Sequence, residues 1–131
     1  MRLFLQINIT DWKDTNYSKP LLAFASSLAD DIVGTDLDFQ SESHISNFVL
    51  KLIQDADLIF VLVVADPSFP SLGGALPAFN QLIKSKEKIH LAVLSGEHGL
   101  AEKMLIPLQE NFKKQDDEGL IKKLIKQFAY C

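Results

Sequence analysis

Leu58 to Ala65, Leu-Ile-Phe-Val-Leu-Val-Val-Ala, is an unbroken apolar run. It is far short of the roughly 20 residues that cross a bilayer, and it lacks the polar alternation of a half-exposed strand, so it predicts a strand buried on both faces. Such a strand sits in the middle of a sheet, with helices above and below. Asp66-Pro67 and Pro70 follow at once, and neither proline can continue a central strand. Gly73-Gly74 comes next, then the helical spacing Ala75, Leu76, Phe79, Leu82, Ile83. A buried strand, a Pro/Gly loop and a helix N-terminus form one wall of a ligand cleft in open α/β sheets.

The rest of the chain supplies partners for that strand. Leu3 to Ile9 predicts a first strand, with Leu3, Leu5, Ile7 and Ile9 on one face and Phe4, Gln6 and Asn8 on the other. The polar stretch Thr10 to Asn16 leads to Ser18-Lys19-Pro20, where Ser18 suits an N-cap and Pro20 a first turn. Leu21, Leu22, Phe24, Ala25, Leu28, Ala29, Ile32 and Val33 then keep a 3.6-residue period, which predicts a helix stopped by Gly34. Asp36 to Gln40 reads as a short edge strand. Ser41 or Ser43 caps a helix carrying Ile45, Phe48, Val49, Leu52, Ile53 and Ala56 on one face. After a polar turn from Ser85 to Lys88, Ile89 to Leu94 is a fourth strand, closed by the loop Ser95-Gly96-Glu97-His98-Gly99.

The tail admits two readings, because Pro107 would remove a backbone bond from the helical pattern Leu100, Ala101, Met104, Leu105, Leu108. Either a helix ends near Ile106, or Met104 to Leu108 is a fifth, edge strand, where a proline is tolerated. Leu120 to Ala129 gives a last amphipathic helix after the charged linker Lys113 to Glu118. Strands alternating with helices over short loops imply a three-layer α/β/α domain spanning 1–131, with a parallel sheet in the flavodoxin-like order 2-1-3-4 and a fifth edge strand as an option. In that order strands one and three are neighbours whose connections leave in opposite directions. A crevice for a small-molecule ligand therefore opens at their C-terminal ends, framed by the loops Thr10 to Ser18, Asp66 to Gly74 and Ser95 to Gly99.

Charge and cysteine content narrow the function classes. With 13 Lys and Arg against 17 Asp and Glu the net charge is -4, which disfavours nucleic acid as a partner. The basic residues Lys113, Lys114, Lys122, Lys123 and Lys126 are diluted by Asp116, Asp117 and Glu118 and read as a solvated helix face. No stretch is long and apolar enough for a membrane helix. Met1 to Ile9 lacks a small-residue cleavage site and is broken by Gln6 and Asn8, so it reads as a strand and not a signal peptide. Cys131 is the only cysteine, which excludes an intrachain disulfide and makes a cytoplasmic location the expectation.

The segment Ala65-Asp66-Pro67-Ser68-Phe69-Pro70-Ser71-Leu72-Gly73-Gly74-Ala75-Leu76 resembles the flavin loop of the flavodoxin-like NAD(P)H-dependent FMN reductases. In that family a Pro-Glu-Tyr-Asn loop after strand three runs through a Pro-Gly-x-Leu-Lys-Asn helix start and packs against the flavin ring. Pro67-Ser68-Phe69 stands for Pro-Glu-Tyr and Gly74-Ala75-Leu76 for Gly-x-Leu, while the Glu, the Asn and the Lys-Asn pair are absent. Ser95-Gly96 with Gly99 matches the family's Gly-rich loop after strand four, and the order of elements agrees over roughly residues 1–100. The resemblance implies an FMN cofactor, NAD(P)H-dependent reduction and a homodimer. The first loop departs from the family, which carries Gly-Ser-x-Arg-x-x-Ser there to hold the FMN phosphate. Here Thr10, Thr15, Asn16 and Ser18 offer hydroxyl and amide donors, and Lys13 could take the place of the Arg, while Asp11 and Asp14 would repel a phosphate. A polar capping loop without ligand is the alternative.

The candidate cofactor site is thus Thr10, Trp12, Lys13, Thr15, Asn16 and Ser18 from the first loop, Pro67, Ser68, Phe69, Gly73 and Gly74 from the second, and Ser95 and Gly96 from the third. Trp12 and Phe69 either sandwich a planar ring or are partly exposed loop aromatics. Gly73-Gly74 would let a backbone approach a ligand closely, or would simply form a turn. No His, Cys and carboxylate spacing suggests a metal. Glu97-His98 reads as an acid/base pair at the cleft mouth or as a solvated loop pair. No catalytic residue is assigned. Two other classes stand beside the reductase: a cofactor-free flavodoxin-like binding module, and a nucleoside deoxyribosyltransferase-like or TIR-like enzyme with Asp66 as its loop carboxylate. The second is disfavoured because the helix Ala75 to Ile83 contains no carboxylate to act as nucleophile.

Overall fold

The computed structural model describes residues 1–9, 20–38, 43–69 and 71–130. They form strands β1 (Arg2–Ile9), β2 (Ile32–Asp38), β3 (Leu58–Ala65), β4 (Ile89–Gly96) and β5 (Phe112–Lys114). The α-helices are α1 (Pro20–Leu28), α2 (Ser43–Asp55), α3 (Leu76–Lys84), α4 (Gly99–Leu105) and α5 (Glu118–Ala129). All strands pair in parallel in one sheet of order β2-β1-β3-β4-β5. This is the flavodoxin-like order expected from the sequence, with the fifth strand present.

The sheet is covered on both sides. Leu3, Leu5, Ile7 and Ile9 of β1 and Ile59, Val61, Val63 and Ala65 of β3 pack with Val49 and Ile53 of α2, Ala78, Phe79 and Leu82 of α3, and Ala101 and Leu105 of α4. Phe4, Phe60, Leu62, Leu91 and Val93 face the other way, onto Ala25 of α1 and Ile121, Ile125 and Phe128 of α5. On that side the Phe4 and Phe60 rings stack at 5.5 Å and Phe128 tilts against Phe60 at 5.7 Å. Strand alternation therefore sends each half of β3 into its own apolar layer, and burying a large apolar side chain contributes about 2 kcal/mol.

Three boundaries differ from the sequence expectation. The first helix ends at Leu28, and Ile32, Val33 and Gly34 belong to β2, which begins well before Asp36. The spacing from Leu28 to Ile32 fits a helix, but the Arg2 amide donates to the Asp31 carbonyl at 3.1 Å, so pairing with β1 captures the chain instead. Gly34 is no helix stop. It lies inside β2 where an added Cβ would collide with Ser26 Oγ and crowd Leu22, so the missing side chain lets α1 lie flat on the strand. In the tail, α4 ends at Leu105 and Met104 to Leu108 forms no strand; Pro107 sits at the start of a 3-10 turn (Ile106–Asn111), where its missing N–H needs no acceptor. The fifth strand comes later, at Phe112–Lys114, within the stretch expected as a linker from Lys113. Lys113 and Lys114 are exposed there and blunt the open edge of the sheet, away from the helix face assigned to them. The expected turn at Ser85 to Lys88 contains a short 3-10 helix (Lys86–Lys88).

Arg2 ties the start of the sheet to the end of the chain. Its guanidinium donates to the Phe128 and Ala129 carbonyls at 3.0 and 2.6 Å, at the C-terminus of α5, and to both Asp31 carboxylate oxygens at 2.7 Å. A cation at a helix C-terminus satisfies orphan carbonyls and meets the negative end of the helix dipole. Arg2→Ala is expected to lower stability by about 2 kcal/mol, from the charged hydrogen bonds lost, and Tm by about 5 to 10 °C. Arg2→Lys should recover less than half of this in urea unfolding, because an ammonium cannot make the forked contact. The guanidinium also holds the Asp31 carboxyl below its ordinary value of 3.8. The pair thus stabilises the fold above about pH 4, and that contribution is lost as pH falls through the lowered folded-state value. Asp31→Asn should flatten the acid limb of the stability profile.

A candidate binding cleft at the strand ends

The cleft is set by where β3 and β4 stop. Ala65 and Gly96 are paired in register at their ends. Gly96 has φ +86°, and a Cβ there would run into the Ala65 carbonyl oxygen. Its N–H donates to Asp116 Oδ1 at 2.6 Å, which fastens the β4 end to the chain leading into α5. Gly96 is glycine for two independent reasons, backbone angle and close approach.

Beyond Ala65 the chain winds on itself. The Asp66 amide donates to the Ile9 carbonyl at 2.9 Å, and Asp66 Oδ1 accepts from the Ser68 amide at 2.9 Å and the Ser68 hydroxyl at 2.8 Å. These bonds from Ser68 hold the Asp66 carboxyl below the ordinary carboxylate range. The Phe69 amide donates back to the Asp66 carbonyl at 3.2 Å, closing a tight Asx turn. Phe69 is partly buried, with its ring against the core layer of α2 to α4.

His98 joins the two loops. Its side chain is 3% exposed, its Nε2 lies 2.8 Å from the Phe69 carbonyl, and its Nδ1 accepts from the Ala101 amide at 3.2 Å as the N-cap of α4. The Ala101 donor requires an unprotonated Nδ1, so Nε2 carries the hydrogen and donates to Phe69. Both ring nitrogens are engaged. The Glu97-His98 pair is therefore neither a solvated loop pair nor a free acid/base pair: Glu97 is exposed, while His98 is a buried strut.

Between the loops lies an open cleft of about 380 Å³ lined by Pro67, Phe69, Glu97, His98, Gly99 and Leu100. Glu97 is the formally charged lining residue at neutral pH; Pro67, Phe69 and Leu100 add apolar side chains to a wall of mixed polarity. Of the residues proposed for a cofactor in the sequence, Pro67 and Phe69 line this cleft, and so do Glu97 and His98, the pair placed at its mouth. Ser68 is exposed on the Asx turn, and Ser95 and Gly96 form the end of β4 behind it. Gly73 and Gly74 fall in a 3-10 turn (Gly73–Ala75) packed against β1, β2, α2 and α3, and neither lines this cleft. Gly73 has φ +55° and its amide meets Ser71 Oγ at 3.3 Å. Thr10, Trp12, Lys13, Thr15, Asn16 and Ser18, with the phosphate and ring-sandwich readings they carried, lie outside the described residues, as do Pro70 and Cys131. Gly99 belongs to the loop expected to frame the crevice, whereas Leu100 was expected only on the helix that follows, and the folded loop brings it to the cleft beside Pro67.

Beside the cleft, Gln6 Nε2 donates to Asn8 Oδ1 at 2.9 Å and Asn8 Nδ2 to Asp38 Oδ1 at 3.2 Å, forming a polar ladder under α1 and α5. Among the described residues no group of His, Cys, Asp and Glu could hold a metal ion, and no helix is long and apolar enough to cross a membrane. The chain matches no known family model, no curated protein and no solved structure.

Substitutions at two positions test the architecture of the cleft. His98→Ala removes the N-cap and the tie to Phe69 and should cost about 2 kcal/mol, with faster amide exchange across Asp66 to Leu72. His98→Asn should keep the cap but not the tie, restoring α4 while leaving the β3 loop open to proteolysis. Gly96→Ala should destabilise by at least about 2 kcal/mol in urea unfolding, from the strained φ and the collision with Ala65.

Proposed function

We propose that this chain is a cofactor-free, flavodoxin-like binding module that works through the surface around the β3 and β4 loops. The observation that carries this reading is where the loop donors go. The amides of Ser68, Phe69, Gly73, Gly96 and Ala101 all donate to acceptors within the chain. A flavin ring packed on these two loops presents mostly acceptors at its edge and needs such donors free. Here the loops brace each other instead, and they expose Pro67 and Leu100 with Glu97 on the rim. That combination suits an apolar group bearing a hydrogen-bond donor or a positive charge.

A second reading is the FMN-binding, NAD(P)H-dependent reductase of the sequence resemblance. The position of the cleft favours it, since open α/β sheets take ligands at the C-terminal ends of strands beside the reversal point, and Phe69 is at hand for a planar ring. In that reading the protein orients the ring and the flavin carries the hydride chemistry.

One experiment separates the two. After incubation with FMN and desalting, the module reading expects no absorbance between about 350 and 500 nm and no thermal shift. Retained flavin, or stabilisation near the roughly 2.7 kcal/mol given by a ligand at 100 times its dissociation constant, would replace the module by the reductase.

A further inference from the structure

On the face away from the polar ladder, α3 and α4 lie side by side. Leu76, Asn80 and Ile83 repeat at i, i+4 and i+7 along α3, and Leu100, Met104 and Pro107 do the same along α4 and the turn that follows. Between them runs a groove of about 370 Å³ lined by Asn80, Ile83, Lys84, Lys103, Met104 and Pro107. Its apolar character continues outward, with Leu76 and Leu100 each 44% exposed and Ile106 56% exposed. Leu100 lines the cleft, and the groove shares no lining residue with it.

The charges beside the groove go against the rest of the molecule. The chain carries a net charge of -4, yet the charged side chains lining this groove are Lys84 and Lys103. Both are exposed, and neither forms an ion pair or side-chain hydrogen bond among the described residues. A symmetric dimer through this face would bring the lysines of two copies together, which like-charge repulsion opposes. An acidic partner meets no such cost and is steered toward the site.

We propose that the α3–α4 groove docks an acidic amphipathic helix of a partner protein. One wall of the groove is α3, nine residues long, which rises about 13 Å, so a third helix could lie along it for about two and a half turns. Apolar anchors at i, i+3 or i+4, and i+7 would seat against Ile83, Met104 and Pro107, with flanking carboxylates on Lys84 and Lys103. The inference goes beyond the proposed function and holds whether or not the cleft takes a flavin, because the groove has its own walls.

The test is selection from a displayed library of random peptides about 16 residues long, roughly four helical turns, with counter-selection on the Lys84→Glu/Lys103→Glu double variant. Both positions are exposed, so the variant should keep the circular dichroism and urea midpoint of the parent. Recovered peptides should be net acidic, with apolar residues at helical spacing, and should gain helix on binding. Their affinity should fall with added salt and drop about tenfold or more in Met104→Glu. Selection on the double variant should instead recover basic amphipathic peptides. The proposal is overturned if no binders emerge, if they are neutral or basic on the parent protein, or if Met104→Glu leaves binding unchanged. It is equally overturned if the parent self-associates in sedimentation and Met104→Glu abolishes that, since a second copy would then occupy the groove.

Discussion

The structure depends on β3 being apolar on both faces. A strand with one wet face can sit in a two-layer sheet, but Leu58 to Ala65 has no face to spare for water, so it needs neighbours on both edges and helices on both sides. Parallel neighbours require crossovers, and the crossovers supply the helices. The chain runs left from β1 to β2 over one face, then back past β1 to β3 over the other. The reversal that leaves a crevice at the strand ends follows from covering the same strand twice, and the cleft is a by-product of the packing requirement.

The described loops at that crevice, after β3 and β4, are braced by hydrogen bonds within the chain. The β3 loop is held by Asp66 to its own turn and to Ile9, the β4 loop by Gly96 to Asp116, and the two loops by His98 to each other. Each bond satisfies a backbone group that would otherwise seek water or a ligand. A site that must wrap around a cofactor keeps donors unengaged and loops able to close. Loops braced internally present a fixed surface, and a fixed surface loses little conformational entropy when a partner binds. Under the proposed binding-module reading, the same contacts that stabilise the loops suit recognition by shape over recognition by donated hydrogen bonds.

Much of this was legible in the sequence wherever one short-range pattern decides the outcome. The central strand falls at Leu58–Ala65 as its composition demands, and β1 and β4 follow from their apolar runs. The end of α1 was not legible, because Leu28, Ala29, Ile32 and Val33 satisfy a helical period, and only Arg2, far away in sequence, holds Asp31 for the sheet. β5 is three residues long, and its identity rests on pairing with Ala92 to Leu94. At the cleft, Pro67 and Phe69 could be placed because they follow the strand directly. The role of His98 could not, since its partner Phe69 is 29 residues away and a histidine between two loop residues reads as solvated. Gly96 was recognised as a loop glycine, but its reason, the Ala65 carbonyl pressed against it, exists only once β3 and β4 are paired.

The polar ladder on β1 shows how the same sheet secures its register. Gln6 and Asn8 are buried at positions where a doubly covered strand would ordinarily carry aliphatic side chains. Burying two amides is unfavourable unless they are hydrogen-bonded, and the donors here run from Gln6 to Asn8 to Asp38. That chain closes only when Asn8 lies opposite Asp38 and Gln6 opposite Asp36, the register found between β1 and β2. A slip of one residue would turn Asp38 to the other face and put Leu37 where the carboxylate belongs, leaving the Asn8 amide buried without an acceptor. An apolar β1 against an edge strand with a single fully buried apolar residue, Leu37, toward the layer of α2 to α4 would discriminate poorly between registers. The ladder supplies that discrimination at the C-terminal ends of β1 and β2, the end of the sheet at which the crevice opens. The Oε1 of Gln6 has no partner among the described residues, so the ladder has one open acceptor, and its contribution is to specificity of pairing more than to stability.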